Sequence, residues 1–165
     1  MREPWEYPSV APIVREWLRF RYALLPHLWA EAQAGCTSGL PMFRSLVIEW
    51  PDDPAVWSIP DQYMLGSVLL VCPVLNSSGI RDVYLPEGKW VDFWSGQTLS
   101  GPLRLRGVKS PLSRLPLCVR FNANIEFAEP VQCTDQFEGA RRFSITFDDR
   151  FKGFDQSELK ALINI

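Results

Sequence analysis

The chain has 165 residues, 47% of them hydrophobic and 22% charged, which suits a folded chain of about one domain and excludes disorder as its main state. The 17 Lys+Arg against 19 Asp+Glu leave a net charge of -2, so no basic excess exists to neutralise a phosphate backbone and nucleic acid is excluded as a partner. No apolar run reaches the roughly 18 residues of a membrane span, and the opening residues lack a signal-peptide core, so no membrane partner is expected and the compartment stays open.

Residues 13–34 come first. Val14, Trp17, Leu18, Leu25, Leu28 and Ala32 recur at helical spacing, which predicts one long amphipathic helix with Gly35 at its end. Pro26 removes an internal hydrogen bond and should kink it beside His27. Residues 42–50 follow as a strand, because Phe43, Leu46, Val47 and Ile48 form a nearly continuous apolar stretch of the kind buried on both faces of a parallel sheet. Pro51 breaks it, and Asp53 before Pro54 has the order that caps a short helix. Asp61 is placed to cap another turn through Leu65.

After Gly66 the pattern changes to short extended runs at 68–74, 80–85, 89–94, 103–106, 117–120 and 142–147, separated by turn chemistry such as Asn76-Ser77-Ser78-Gly79 and Pro86-Glu87-Gly88. With 13% aromatic residues and 7 Trp, such strands predict a sandwich or barrel. Residues 157–165 read as one or two helical turns.

Candidate chemistry is sparse. The chain has 1 histidine, so a nucleophile system would need His27 as its base, and no nucleophile elbow accompanies it. Glycines are scattered singly, which leaves no phosphate loop or dinucleotide fingerprint. Cys36, Cys72, Cys118 and Cys133 lie too far apart for zinc or redox motifs and are expected as buried, unpaired small hydrophobes. No metal and no cofactor follow from these patterns. Glu49, at the end of the apolar strand with Asp52 and Asp53 just beyond, is the best carboxylate cluster, although a structural hydrogen bond and a turn would use the same residues. Trp90 and Trp94 are candidates for stacking on a sugar. Strand alternation places them on one face with Asp92, and Val91 with Phe93 on the other, so at least one face must be core.

The order and spacing of longer stretches say more. Arg21-Tyr22-Ala23-Leu24-Leu25-Pro26-His27-Leu28-Trp29, Gly39-Leu40-Pro41-Met42-Phe43-Arg44-Ser45-Leu46, Glu49-Trp50-Pro51-Asp52-Asp53, Asp61-Gln62-Tyr63-Met64-Leu65-Gly66, Leu69-Leu70-Val71-Cys72-Pro73-Val74, Leu85-Pro86-Glu87-Gly88-Lys89-Trp90-Val91-Asp92-Phe93-Trp94 and Pro111-Leu112-Ser113-Arg114-Leu115-Pro116 together resemble glycoside hydrolase family 31, which holds α-glucosidases and α-xylosidases. Ser45 and Cys72 stand where a Pro and an Ala are usual, and the likeness fades after Arg120.

The resemblance implies an α+β chain. Residues 1–66 would be the terminal fragment of a (β/α)8 barrel, residues 67–150 an antiparallel β-sandwich, and residues 151–165 an irregular or helical tail. It implies retaining hydrolysis of terminal α-linked glucose or xylose, through a covalent glycosyl-enzyme and without metal or cofactor. The family's two catalytic aspartates lie upstream of anything matching Arg2-Glu3-Pro4-Trp5, so no catalytic residue is carried over to this chain. The expected partners are a carbohydrate substrate, in the full-length context, and the missing N-terminal barrel. Met1 is then expected to be an internal start, and the chain alone to be inactive and to expose apolar faces. Two alternatives stay open: a non-catalytic carbohydrate-binding or stabilising sandwich, and a small hydrolase using Glu49 with Asp52 or Asp53.

Overall fold

A computed structural model describes residue 3, residues 6–131 and residues 133–154; the helical turns expected at 157–165 lie outside these. The expected single helix is two, α1 (Ala11–Ala23) and α2 (Leu25–Ser38), meeting at Leu24. Pro26 sits in the first turn of α2 rather than inside a continuous helix, where its missing N–H has no intrahelical partner to lose. The core stripe crosses the break as Phe20, Ala23, Leu24, His27 and Glu31, while Leu18 is exposed. Helix α2 runs on past Gly35 to a left-handed cap at Gly39, φ 75°.

The strand expected at 42–50 shrinks to β1 (Phe43–Ser45), and residues 46–49 close a single helical turn, α3 (Leu46–Glu49). Arg44 and Leu46 point inward while Phe43, Val47 and Ile48 are exposed, so the apolar run is not buried on two faces. β1 pairs antiparallel with β2 (Tyr63–Leu65), which corrects both the parallel barrel strand and the capped turn at 61–65. Asp53 caps a 3-10 turn (Pro54–Ser58) by accepting from Ala55 N at 2.9 Å, as its position before Pro54 suggests.

Strands β3 (Leu69–Val71), β4 (Ile80–Asp92), β5 (Thr98–Lys109) and β6 (Leu117–Arg120) complete an antiparallel sheet in the order β1-β2-β3-β6-β4-β5. The two strands expected at 80–85 and 89–94 are one bent strand, β4, whose register shifts between Leu85 and Gly88. Beside the bend, a Cβ on Gly101 would lie 1.9 Å from Pro86 O, so β5 passes there only with a glycine. β7 (Ala123–Ala128), not expected from the sequence, pairs with β8 (Arg142–Phe147) as a separate two-stranded sheet.

Both faces of the large sheet are covered. On one side Leu69, Val91, Phe93 and Val119 meet Phe20 and Leu24 of the helices and Phe127 and Phe147 of the β7–β8 pair. On the other, Leu70, Trp90 and Cys118 pack with Leu46, Met64 and the first half of β4, Val83 to Leu85. The alternation along β4 thus feeds two cores. Cys72 and Cys118 are buried as expected, whereas Cys36 and Cys133 are exposed, and all four are free. No helix among the described residues is long and apolar enough to cross a membrane.

Candidate functional site

Glu49 closes α3, the helical turn that follows β1, with its side chain 17% exposed. Its Oε1 accepts from Arg44 Nη1, and its Oε2 from Arg120 Nη2 at 3.3 Å. Arg44, 6% exposed, also reaches Glu31 Oε2 at 3.5 Å and donates from Nε to Pro41 O at 2.7 Å. Ser67 Oγ donates to the other oxygen of Glu31 at 2.6 Å. The result is a run of alternating charges, Glu31, Arg44, Glu49 and Arg120, that ties α2, β1, α3 and β6 together. Its members satisfy one another's donors and acceptors as burial requires.

Glu49 shares a cleft of about 490 Å³ with Trp50, Asp52, Asp53, Tyr84 and Glu87. Asp53 is spent twice, on Ala55 N and on the Tyr84 hydroxyl, which donates to Oδ2 at 2.6 Å. Burial, aided by that bond, pushes the Tyr84 phenol up to about 12, so it remains a donor. Asp52 is exposed at the turn. A glycosidase needs one carboxylic acid to deliver a proton and one carboxylate free to attack or to activate water. Both Glu49 oxygens lie on guanidinium groups and both Asp53 oxygens on donors, which leaves Asp52 and Glu87 as the cleft's carboxylates outside these bonds.

Trp90 is fully buried and donates from Nε1 to Pro86 O at 2.9 Å. Trp94 is half-buried; it donates to Leu115 O at 2.7 Å, meets Phe93 and Trp17 edge-on at 5.2 and 6.1 Å, and carries the Arg114 guanidinium over its ring at 5.4 Å. The structure therefore brings neither indole to the Glu49 cleft as an open platform. Arg120 instead lies over Trp50 and Trp90, at 4.8 and 5.3 Å, a cation–π stack that fixes the guanidinium holding Glu49.

His27 is buried, and its Nε2 has no hydrogen-bond partner among the described residues. Burial holds its pKa below the ordinary value, against the pull of Glu31. No group of three or more His, Cys, Asp or Glu among the described residues could hold a metal ion. Sequence reasoning missed Glu31, Arg44 and Arg120. The one available signal was Arg44 itself, a charge inside an apolar run, which marks either a false strand or a buried pair.

The profile described as glycosyl hydrolase family 31 C-terminal domain matches residues 39–125. The chain belongs to glycoside hydrolase family 31. Among curated family 31 relatives, an α-glucosidase 2 of Bacillus thermoamyloliquefaciens is 30% identical over 81% of this chain and 17% of its own length. An α-xylosidase of Saccharolobus solfataricus is 38% identical over 74% of this chain and 17% of its own. Among solved structures, a family 31 dextranase of Flavobacterium johnsoniae complexed with isomaltotriose superposes with a TM-score of 0.83 at 30% identity, covering 90% of this chain and 19% of that one. This chain thus spans under a fifth of the length of these family 31 members and carries the family's C-terminal β domain.

Proposed function

We propose that this chain is the C-terminal part of a retaining α-glycoside hydrolase acting on terminal α-linked glucose or xylose. Its catalytic aspartates would be carried by a barrel that precedes it in the full polypeptide. The family match over residues 39–125 carries the reading. The engagement of Glu49 by two guanidinium groups and of Asp53 by two donors supports the corollary that the chain alone does not hydrolyse. Helices α1 and α2, which lie ahead of the matched region, are assigned to the end of the barrel. The sheet that β1 and β2 share with β3 supports reading the β domain from near residue 39, rather than from 67, to about 150.

Glu49 is assigned a structural role, as the anion between Arg44 and Arg120, and Trp90 and Trp94 are assigned to the core. Neither Trp90 nor Trp94 supplies the exposed aromatic platform that a free-standing carbohydrate-binding module would use. The purified chain assayed on aryl α-glucosides and α-xylosides should show no turnover. Turnover that disappears in Glu49→Gln would overturn the reading in favour of a small independent hydrolase.

A further inference from the structure

Two loops of the large sheet, residues 72–79 between β3 and β4 and residues 110–116 between β5 and β6, share with Trp17 of α1 a cavity of about 660 Å³. Ser110 N donates to Gly79 O at 2.8 Å, Asn76 Nδ2 to Ile80 O at 2.7 Å and Ser110 Oγ to Arg114 O. The loops are thus tied to each other and to the sheet, and little ordering remains to be done on binding. The lining is of two kinds: Trp17, Val74 and Leu115 are apolar, while Ser77, Ser78 and Ser110 bring hydroxyls. Small-molecule sites are concave and apolar with a few placed polar groups, and this mixture suits a monosaccharide, which has an apolar C–H face and a rim of hydroxyls.

The charge of the lining narrows the ligand. Arg114 lines the cavity, and no Asp or Glu does. Its guanidinium lies over the Trp94 ring at 5.4 Å, and that indole is itself pinned to Leu115 O at 2.7 Å. Among the described residues no carboxylate pairs with Arg114, so a planar fork of N–H donors, the geometry that grips a carboxylate or a phosphate through two bonds, is held in place and uncommitted. Arg104 is stacked in the same way, over Tyr84 at 5.5 Å, but its hollow also holds Asp61 and Asp82, which would repel an anion.

We propose that the cavity between α1 and the loops 72–79 and 110–116 binds a monosaccharide bearing one anionic group, a phosphate or a carboxylate. Arg114 holds the anion, the serine hydroxyls meet the sugar's hydroxyls, and Trp17 meets its apolar face. The site goes beyond the proposed hydrolysis and does not depend on it, since every residue it uses lies on this chain.

The purified chain is titrated with glucose 6-phosphate and with glucuronate, and with inorganic phosphate, acetate and glucose as their parts, by calorimetry and through the tryptophan indole N–H signals in NMR. At least one anionic sugar should bind about tenfold or more tightly than glucose and than its own free anion, the factor expected of a charge-assisted bond. It should shift the Trp17 and Trp94 signals and not that of Trp29 on α2. Preference for glucose 6-phosphate assigns a phosphate, preference for glucuronate a carboxylate, and equal binding supports the chemistry they share. Arg114→Gln should weaken binding about tenfold or more and Arg114→Lys by less, whereas Arg104→Gln should leave it unchanged. Ser77→Trp, which fills the cavity from an exposed loop position and spares the stack on Trp94, should abolish binding, so the site stays testable if Arg114→Gln fails to fold. No binding by either anionic sugar, glucose or a free anion bound as tightly as the anionic sugars, affinity unmoved by either Arg114→Gln or Ser77→Trp, or an equal loss in Arg104→Gln overturns the site.

Discussion

The stretch 29–57 and the strands beyond residue 67 solve the same problem in opposite ways. The strands bury their largest side chains outright: Trp90, Phe93, Phe127 and Phe147 are at most 1% exposed. The earlier stretch turns Trp29, Phe43 and Trp57 outward and buries charges, with Arg44 at 6% and Glu31 at 9% exposure. Hydrophobic burial is non-directional and holds a core whatever surrounds it. A buried ion network fixes geometry but contributes little net stability, because desolvation offsets its attraction. The strand region is held by buried apolar side chains, and the earlier stretch by buried ion pairs beneath exposed apolar ones.

Removing a side chain from each region should separate the two modes. Trp90→Ala empties the second core, abandons the Pro86 hydrogen bond and strips one ring from the Arg120 stack; a loss of about 4 kcal/mol in denaturant unfolding is expected. Arg44→Ala removes the central cation and leaves Glu31 and Glu49 without it. About 3 kcal/mol should be lost, since the cost is that of stranded buried charge rather than of lost contact area. If Arg44→Leu, which fills more of the space, does not recover part of that loss, packing is not a component of the effect.

The smallest effect concerns pH. Burial depresses the His27 pKa below its ordinary 6.5 in the fold, so at pH values below that figure the unfolded chain binds the proton more readily than the folded one. Stability should be level above about pH 6.5 and decline as pH falls beneath it. Unfolding midpoints for the chain and for His27→Gln, taken from about pH 8 downward, should diverge there, with the variant losing this part of the slope. Parallel curves would show that His27 does not set it.

The sequence was most legible where one physical demand acted at a time. Asn76-Ser77-Ser78-Gly79 marked the turn before β4 although Pro86-Glu87-Gly88 falls inside that strand, Asp53 before Pro54 marked its cap, and the alternation of Trp90 with Val91 and Phe93 said that at least one face of β4 was core. The structure shows both were. It misled where two demands coincided. In residues 42–50 an apolar run resembled a doubly buried strand, but Phe43, Val47 and Ile48 face outward and only Leu46 of the four is buried, and apolar composition alone does not distinguish a core from an exposed face. Pro26 signalled a break without saying that it fell two residues earlier, at Leu24, and β7 lay hidden because Asn122 and Asn124 interrupt its apolar pattern. The Glu49 cluster was visible, but its partners Arg44 and Arg120 come from strands 76 positions apart in the chain, by subtraction of their numbers, and only the folded sheet brings them to the same carboxylate.

Residue-resolved amide hydrogen exchange of the isolated chain tests the contrast between the two regions most directly, because it reads local opening rather than global unfolding. Slow exchange is predicted at Val91, Phe93, Val119 and Phe127, and exchange faster by at least about tenfold at the helical turn 46–49 and in the last turn of α2. Uniform protection across both regions would contradict the account, because the stretch 29–57 would then be held as firmly as the strands.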